Sequence, residues 1–157
     1  MRAAIPNLTL RTTMIVGFPG ETLQAHRRML ATMEELQFDR LGVFQYSQEE
    51  DTPAGAMPGQ IGRRTKQERW QRAMELQAEI SARLNQARVG QRSRVLVESY
   101  DRDLKHWVGR SPSEAPEVDG SVYFTAPGFL PIGDFVTVDI THADTYDVYG
   151  QLAAPHS

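Results

Sequence analysis

The chain has 157 residues, 40% hydrophobic and 24% charged, a globular balance with room for one ordinary domain or two small ones. No apolar run approaches the roughly 20 residues of a membrane span, and the start lacks the basic-then-apolar pattern of a signal peptide, so the cytoplasm is the expected location. With no cysteine, these residues hold no disulfide, no thiolate nucleophile and no Cys-based metal or iron–sulfur site.

The net charge of −3 conceals an asymmetry. Up to Ser93 the cations outnumber the carboxylates, with Arg27, Arg28, Arg63, Arg64, Lys66, Arg69, Arg72, Arg83, Arg88 and Arg92 prominent. From Arg94 onward the cations are Arg94, Arg102, Lys105 and Arg110. Against them stand Glu98, Asp101, Asp103, Glu114, Glu117, Asp119, Asp134, Asp139, Asp144 and Asp147. An acidic field of this kind repels phosphate backbones and attracts basic partners.

In chain order, the β-rich segment Leu8 to Val16 ends in an apolar run before glycine, as in a parallel strand covered on both faces. Gly17-Phe18-Pro19-Gly20 stops it, and Thr22 is the predicted N-cap of the next helix. Leu23, His26, Met29, Leu30, Met33 and Leu36 recur at helical steps, and Leu41 to Tyr46 reads as a second strand. Strand, helix and strand make a βαβ unit. Ser47 to Gly62, with its prolines, glycines and acidic triplet, reads as a long loop.

Thr65-Lys66-Gln67-Glu68 matches a capping box. Trp70, Ala73, Met74, Ile80, Leu84 and Ala87 follow as the core stripe of a long helix, and Gly90 is its predicted left-handed stop. The arginines and glutamines opposite are read as a solvated face.

Beyond Gly90, five short β-rich segments follow: Ser93–Tyr100, Trp107–Arg110, Ser121–Phe124, Phe135–His142 and Tyr146–Gly150. Separated by Gly/Pro turns, they predict a small closed or nearly closed barrel. The expected division is residues 1–92, an α/β fragment of βαβ plus helix, and residues 93–157, a small all-β OB-like barrel. One βαβ unit and a helix cannot cover both faces of their strands. The first part is therefore expected either to end a larger α/β protein or to find its neighbours in another chain.

The stretch from Gly109 to Gly120 carries two glycines, two prolines and three carboxylates, and it predicts a shaped surface loop, either a binding projection or a plain connector. No His-Glu-x-x-His, nucleophile triad or phosphate loop appears, so no catalytic or metal-ligating residue is predicted. Gly17 to Glu21 and Phe44 to Ser47 instead outline a small-molecule site, because ligands of α/β folds sit beyond the carboxyl ends of the strands.

Thr12-Thr13-Met14-Ile15-Val16-Gly17-Phe18-Pro19-Gly20-Glu21-Thr22 closely resembles a late strand and turn of the radical S-adenosylmethionine methylthiotransferases. Phe44-Gln45-Tyr46-Ser47 with Thr52-Pro53-Ala54 resembles the next strand and loop of their TIM-like barrel. Gly109 to Gly120, Val122-Tyr123 and His142-Ala143-Asp144-Thr145-Tyr146-Asp147 resemble their C-terminal TRAM domain. The Glu-Ala-Pro-Glu-Val-Asp-Gly form is similar to the branch that modifies a small-subunit ribosomal protein rather than tRNA.

The resemblance implies an enzyme in which a radical from S-adenosylmethionine abstracts hydrogen and a methylthio group is attached to an aspartate. It also implies two 4Fe-4S clusters held by cysteines, which this chain lacks, so it alone is expected to hold no cofactor and to be inactive. The cofactor contacts it implies map to Thr13, Ile15, Gly17, Glu21 and Tyr46. Glu21 stands one position later than the family spacing, and Asp51 stands where many members have glycine. The implied substrate-binding residues are Gly109, Arg110, Ser111, Glu114, Glu117 and Asp119. The expected partners are a basic small-subunit ribosomal protein and the N-terminal part of the enzyme, with no membrane. The alternative is a stand-alone TRAM-type module for a basic protein or, against the acidic charge, for RNA.

Overall fold

The computed structural model describes residues 4–5, 8–116 and 119–154. Its elements are β1 (Arg11–Val16), α1 (Leu23–Leu36), β2 (Arg40–Gln45), α2 (Arg63–Gln86), β3 (Arg92–Asp101), β4 (His106–Arg110), β5 (Val122–Thr125), β6 (Phe135–Ala143) and β7 (Val148–Leu152). They fall into two compact units, Met1–Ile80 and Ser81–Ser157.

In the first unit β1 and β2 pair in parallel, Ile15 opposite Phe44 and Thr13 opposite Gly42. Successive residues of a strand point to opposite faces. One face buries Val16, Leu41 and Val43, which join Met33 of α1 and Ala73 and Ile80 of α2 among the buried apolar side chains of this unit. The other face is open: Ile15 is 55% exposed and Phe44 60%. The expectation of cover on both faces is thus met on one face only.

Helix α1 begins as read, with Thr22 extended and its hydroxyl accepting from Ala25 N at 3.1 Å. It ends at Gln37, which is left-handed and donates its N–H to Met33 O. Helix α2 differs from the reading at both ends. It starts at Arg63, so Thr65 lies inside the first turn, and Glu68 pairs with Arg64 at 2.8 Å rather than closing a capping box. It ends at Gln86, leaving Ala87 exposed beyond it. Gly90 does have a left-handed φ of 83°, but its N–H donates to Ile140 O at 2.8 Å and leads into the barrel ladder.

The polar face of α2 is also less solvated than its composition implies. Gln77 is buried and donates to Phe38 O at 2.9 Å, and the Trp70 indole donates to Val43 O at 2.8 Å. The steps Lys66, Trp70, Ala73, Gln77, Ile80 put polar and apolar residues on one helical face.

In the second unit the five strands close in the order β3-β4-β5-β7-β6. All neighbours are antiparallel except β5 and β7. Inward alternation places Val95, Val97, Trp107, Val122, Phe124, Val138, Ile140 and Val148 in one core. A Cβ on Gly109 would collide with Leu96 O, and one on Gly150 with Asp139 O. Both positions therefore need glycine for neighbouring backbones to approach. The last strand begins later than read, because Asp144 Oδ1 accepts from Tyr146 N at 2.9 Å and Asp147 N at 2.8 Å, folding those residues into a turn. Asn85, 1% exposed, holds the same turn through Asp144 O and Thr145 O.

Candidate functional site

Because β1 and β2 are parallel, the loops that follow them emerge at the same edge, where α/β folds bind ligands. Gly17 has φ 75°, and an added Cβ would lie 2.5 Å from Lys66 Cγ, so conformation and space both require glycine. Gly20 N donates to Gly59 O at 3.0 Å, joining this turn to the loop before α2. Within that loop the Gln60 side chain reaches Ala54 O at 3.0 Å and Met57 O at 3.1 Å, so it is ordered by its own hydrogen bonds.

Glu21 is committed internally. Its Oε2 accepts from Gly17 N and from Arg69 Nη1, the latter at 2.9 Å, and Arg69 also donates to Glu21 O at 3.0 Å. Both side chains are nearly buried. His26 Nδ1 lies 3.7 Å from Glu21 Oε1 and has no hydrogen-bond partner among the described residues. Burial pushes the imidazole pKa down, Glu21 pulls it up, and Arg69 pushes it further down; the net direction is below the ordinary value.

Tyr46, at the end of β2, donates its N–H to Val16 O at 2.9 Å, and Lys66 Nζ donates to Tyr46 O at 2.8 Å. Its ring meets Phe18 edge-on at 5.2 Å, with the Lys66 ammonium 4.9 Å from its centroid. Its hydroxyl is buried without a hydrogen-bond partner among the described residues. Thr13 and Ile15 lie on the open sheet face, and Gly17, Glu21 and Tyr46 lie at its carboxyl edge. The five predicted cofactor residues are thus brought to one region. Lys66, read from sequence as part of a capping box, and Arg69, read as part of a solvated face, belong to it as supports.

The loop from Gly109 is built differently from the expected projection. Gly109 and Arg110 are the end of β4, and Arg110 Nε donates to Glu98 Oε1 at 2.6 Å. Ser111 and Glu114 are buried, 5% and 4% exposed, so the segment read as a surface loop turns a carboxylate inward. Glu114 Oε2 accepts from Ser111 N at 2.8 Å and Ser111 Oγ at 2.6 Å, while Glu114 Oε1 accepts from Arg88 Nη1 at 2.6 Å. Asp119 Oδ2 accepts from Ala115 N at 2.7 Å. Glu117 lies outside the described residues.

The barrel surface carries a group that the sequence reading did not single out. Tyr123 and Tyr149 face each other across β5 and β7 with ring centroids 5.5 Å apart and planes 20° apart. His142 lies 5.7 Å beyond Tyr149. Alternation was the available signal: Tyr123 sits between buried Val122 and Phe124, and so points outward. Among the described residues no group of three or more His, Cys, Asp or Glu could hold a metal ion, and no helix is long and apolar enough to cross a membrane.

Comparison with known proteins adds two findings. Residues 89–153 match the TRAM domain family. The chain is 53% identical over 98% of its length to the ribosomal protein uS12 methylthiotransferase RimO of Desulforamulus reducens, covering 35% of that protein. The RimO proteins of Desulfitobacterium hafniense and Trichlorobacter lovleyi are 48% and 46% identical over 97% of the chain, which covers 34% of each. The chain therefore spans about a third of the length of these relatives. The methylthiotransferase resemblance and the reading of an α/β fragment followed by an OB-like barrel are both borne out. Nearly the whole chain is thus similar to the C-terminal portion of the RimO methylthiotransferases, and its second unit carries a TRAM domain.

Proposed function

We propose that the chain supplies the C-terminal part of an enzyme that attaches a methylthio group to an aspartate of ribosomal protein uS12. The observation that carries this reading is the identity of 53% over 98% of the chain with a protein named for that activity. Bound S-adenosylmethionine supplies the radical chemistry. What this chain contributes is binding and orientation.

Thr13, Ile15 and Phe44 offer the cofactor an open sheet face, Gly17 allows close backbone approach, and the Tyr46 hydroxyl, buried without a partner among the described residues, would gain one if ligand binding uncovers it. These residues fit such a ligand. Glu21 acts one step back: tied to Gly17 N and Arg69, it fixes the shape of the turn. The iron–sulfur clusters do not fit this chain, since they require thiolates and it has no cysteine. In this reading the acidic barrel holds the basic substrate, with Arg110 and Asp119 at the loop surface. Gly109, Ser111 and Glu114 give the loop its shape.

The test is a chimera in which this chain replaces the corresponding C-terminal portion of the Desulforamulus reducens protein. With clusters, S-adenosylmethionine, a sulfur source and reductant supplied, mass spectrometry should find methylthiolated aspartate in uS12. This chain alone should give none. A folded, cluster-loaded chimera that binds S-adenosylmethionine but never modifies uS12 would overturn the assignment.

A further inference from the structure

The carboxylates of the barrel differ in their partners. Glu98, Glu114 and Asp139 are paired with Arg110, Arg88 and Arg92 at 2.6–2.8 Å. Asp101, Asp103, Asp134, Asp144 and Asp147 form no ion pair within 4.0 Å among the described residues. Three of these five, Asp101, Asp144 and Asp147, act on Tyr123 of the Tyr123–Tyr149 stack. Asp144 Oδ2 accepts from Tyr149 Oη at 3.1 Å, and Asp147 Oδ1 accepts from Ser121 N at 2.6 Å, two residues before Tyr123. Asp101 ends β3 two residues past Ser99, whose partner Val108 is in turn the register partner of Tyr123.

Burial raises the Tyr123 pKa first, and the negative charges of Asp147, Asp101 and Asp144 raise it further. Burial likewise raises Tyr149, with Asp144 and Asp147 adding to it. The surface over the two rings is thus an electron-rich aromatic platform in a negative field. His142 lies at one side and Tyr146, 57% exposed, at the turn. A phosphate is repelled there. A planar guanidinium suits it, because it stacks on aromatic faces and pairs with carboxylates in the same orientation.

We propose that Tyr123 and Tyr149, framed by Asp101, Asp144 and Asp147, form a cation-accepting platform for arginine side chains of a basic protein segment. The inference rests on the reading of the barrel as the holder of a basic substrate and names the surface that does the holding. The carboxylates give long-range attraction and the rings give the short-range preference for arginine over lysine.

The test uses the full chain and a fluorescein-labelled arginine–glycine repeat peptide at low salt, with lysine and citrulline versions beside it. The arginine peptide should bind best and the citrulline peptide not at all. Replacing Tyr123→Leu with Tyr149→Leu should weaken binding roughly threefold to thirtyfold, while Tyr149→Phe, which keeps the ring, should retain most of it. Because the leucine variants alter the barrel exterior, NMR shift mapping on the unmodified chain serves as the independent readout. Arginine peptide should move Tyr123, Tyr149 and His142 amides.

Equal binding of the citrulline peptide, unchanged affinity in the folded double variant, or shifts confined to the segment from Gly109 to Gly120 would overturn the platform. So would a single-stranded RNA that perturbs the same tyrosines more strongly. Purified uS12 separates the two claims. If uS12 binds but leaves Tyr123 and Tyr149 unmoved, the platform fails and the functional reading stands. If the arginine peptide binds there and uS12 does not bind the chain, the reading fails and the platform stands.

Discussion

Glu114 and Arg88 meet at 2.6 Å with the carboxylate side chain only 2% exposed, and this pair fixes the loop that follows β4. Arg88 Nη2 also lies 3.2 Å from Ser111 Oγ, so guanidinium, hydroxyl and carboxylate form one closed network. Removing one partner of a buried pair strands the other charge. Glu114→Ala should therefore destabilise the barrel by about 3 kcal/mol, whereas Arg88→Met with Glu114→Gln, which keeps an acceptor for Ser111, should cost less. Urea unfolding of the two variants gives the comparison. A single variant no worse than the double one would show the pair to be a surface contact.

His26 supplies a pH dependence whose sign is fixed by its surroundings. Its folded-state pKa lies below the unfolded value of about 6.5, because burial disfavours the charged ring. The unfolded chain then binds the proton first. The stability from the neutral ring is fully present above about pH 6.5 and is lost as pH falls through the folded pKa. Nearby Glu21 and Arg69 oppose each other in this effect. The urea midpoint of the first unit should fall between pH 7.5 and pH 5, and His26→Gln should flatten that slope. An equally steep slope in the variant would assign the dependence elsewhere.

What was legible in the sequence followed from punctuation and alternation. Gly and Pro clusters bracket each barrel strand, and single outward residues such as Tyr123 alternate with buried neighbours. The fate of individual charges was not legible, because composition cannot separate a solvated arginine from Arg69, whose guanidinium is nearly buried against Glu21. Local pattern misled in a second way. The Thr65–Glu68 spacing matches a capping box that α2 does not use. Ser111-Pro112-Ser113-Glu114 has the same spacing, and its hydroxyl, carboxylate and backbone do bond reciprocally, without a helix. Three-dimensional partners such as Arg88 decide between such sites, and their distance in sequence hides them.

Barrel closure predicts sharp sensitivity at two glycines. Gly109 pairs with Val97 beside one β3 irregularity, and Gly150 pairs with Ile140 beside another in β6. A methyl at either site meets a neighbouring backbone carbonyl, which has no rotamer by which to move away. Gly109→Ala and Gly150→Ala should each cost roughly 1–3 kcal/mol through overpacking. Gly128→Ala, where an added methyl meets nothing within 4 Å, should change thermal unfolding little. Equal effects at all three would mean that the barrel tolerates wider strand spacing than its closure implies.

Tyr46 separates folding from ligand binding more cleanly than any other residue of the proposed cofactor site. Its hydroxyl is buried and has no partner among the described residues, so it contributes nothing to folding that phenylalanine would lack. Tyr46→Phe keeps the ring that meets Phe18 at 5.2 Å and Lys66 at 4.9 Å. Folding stability should stay level or rise by up to about 1 kcal/mol, since a desolvated polar group is removed. In the proposed reading, ligand binding uncovers this hydroxyl and the ligand supplies the missing hydrogen bond. In the chimera with the Desulforamulus reducens protein, Tyr46→Phe should therefore weaken S-adenosylmethionine binding roughly threefold to tenfold, the worth of one neutral hydrogen bond. Equilibrium dialysis reads the affinity and thermal unfolding reads the fold. Unchanged affinity with unchanged stability would take Tyr46 out of the pocket and leave Thr13, Ile15 and Gly17 to carry it.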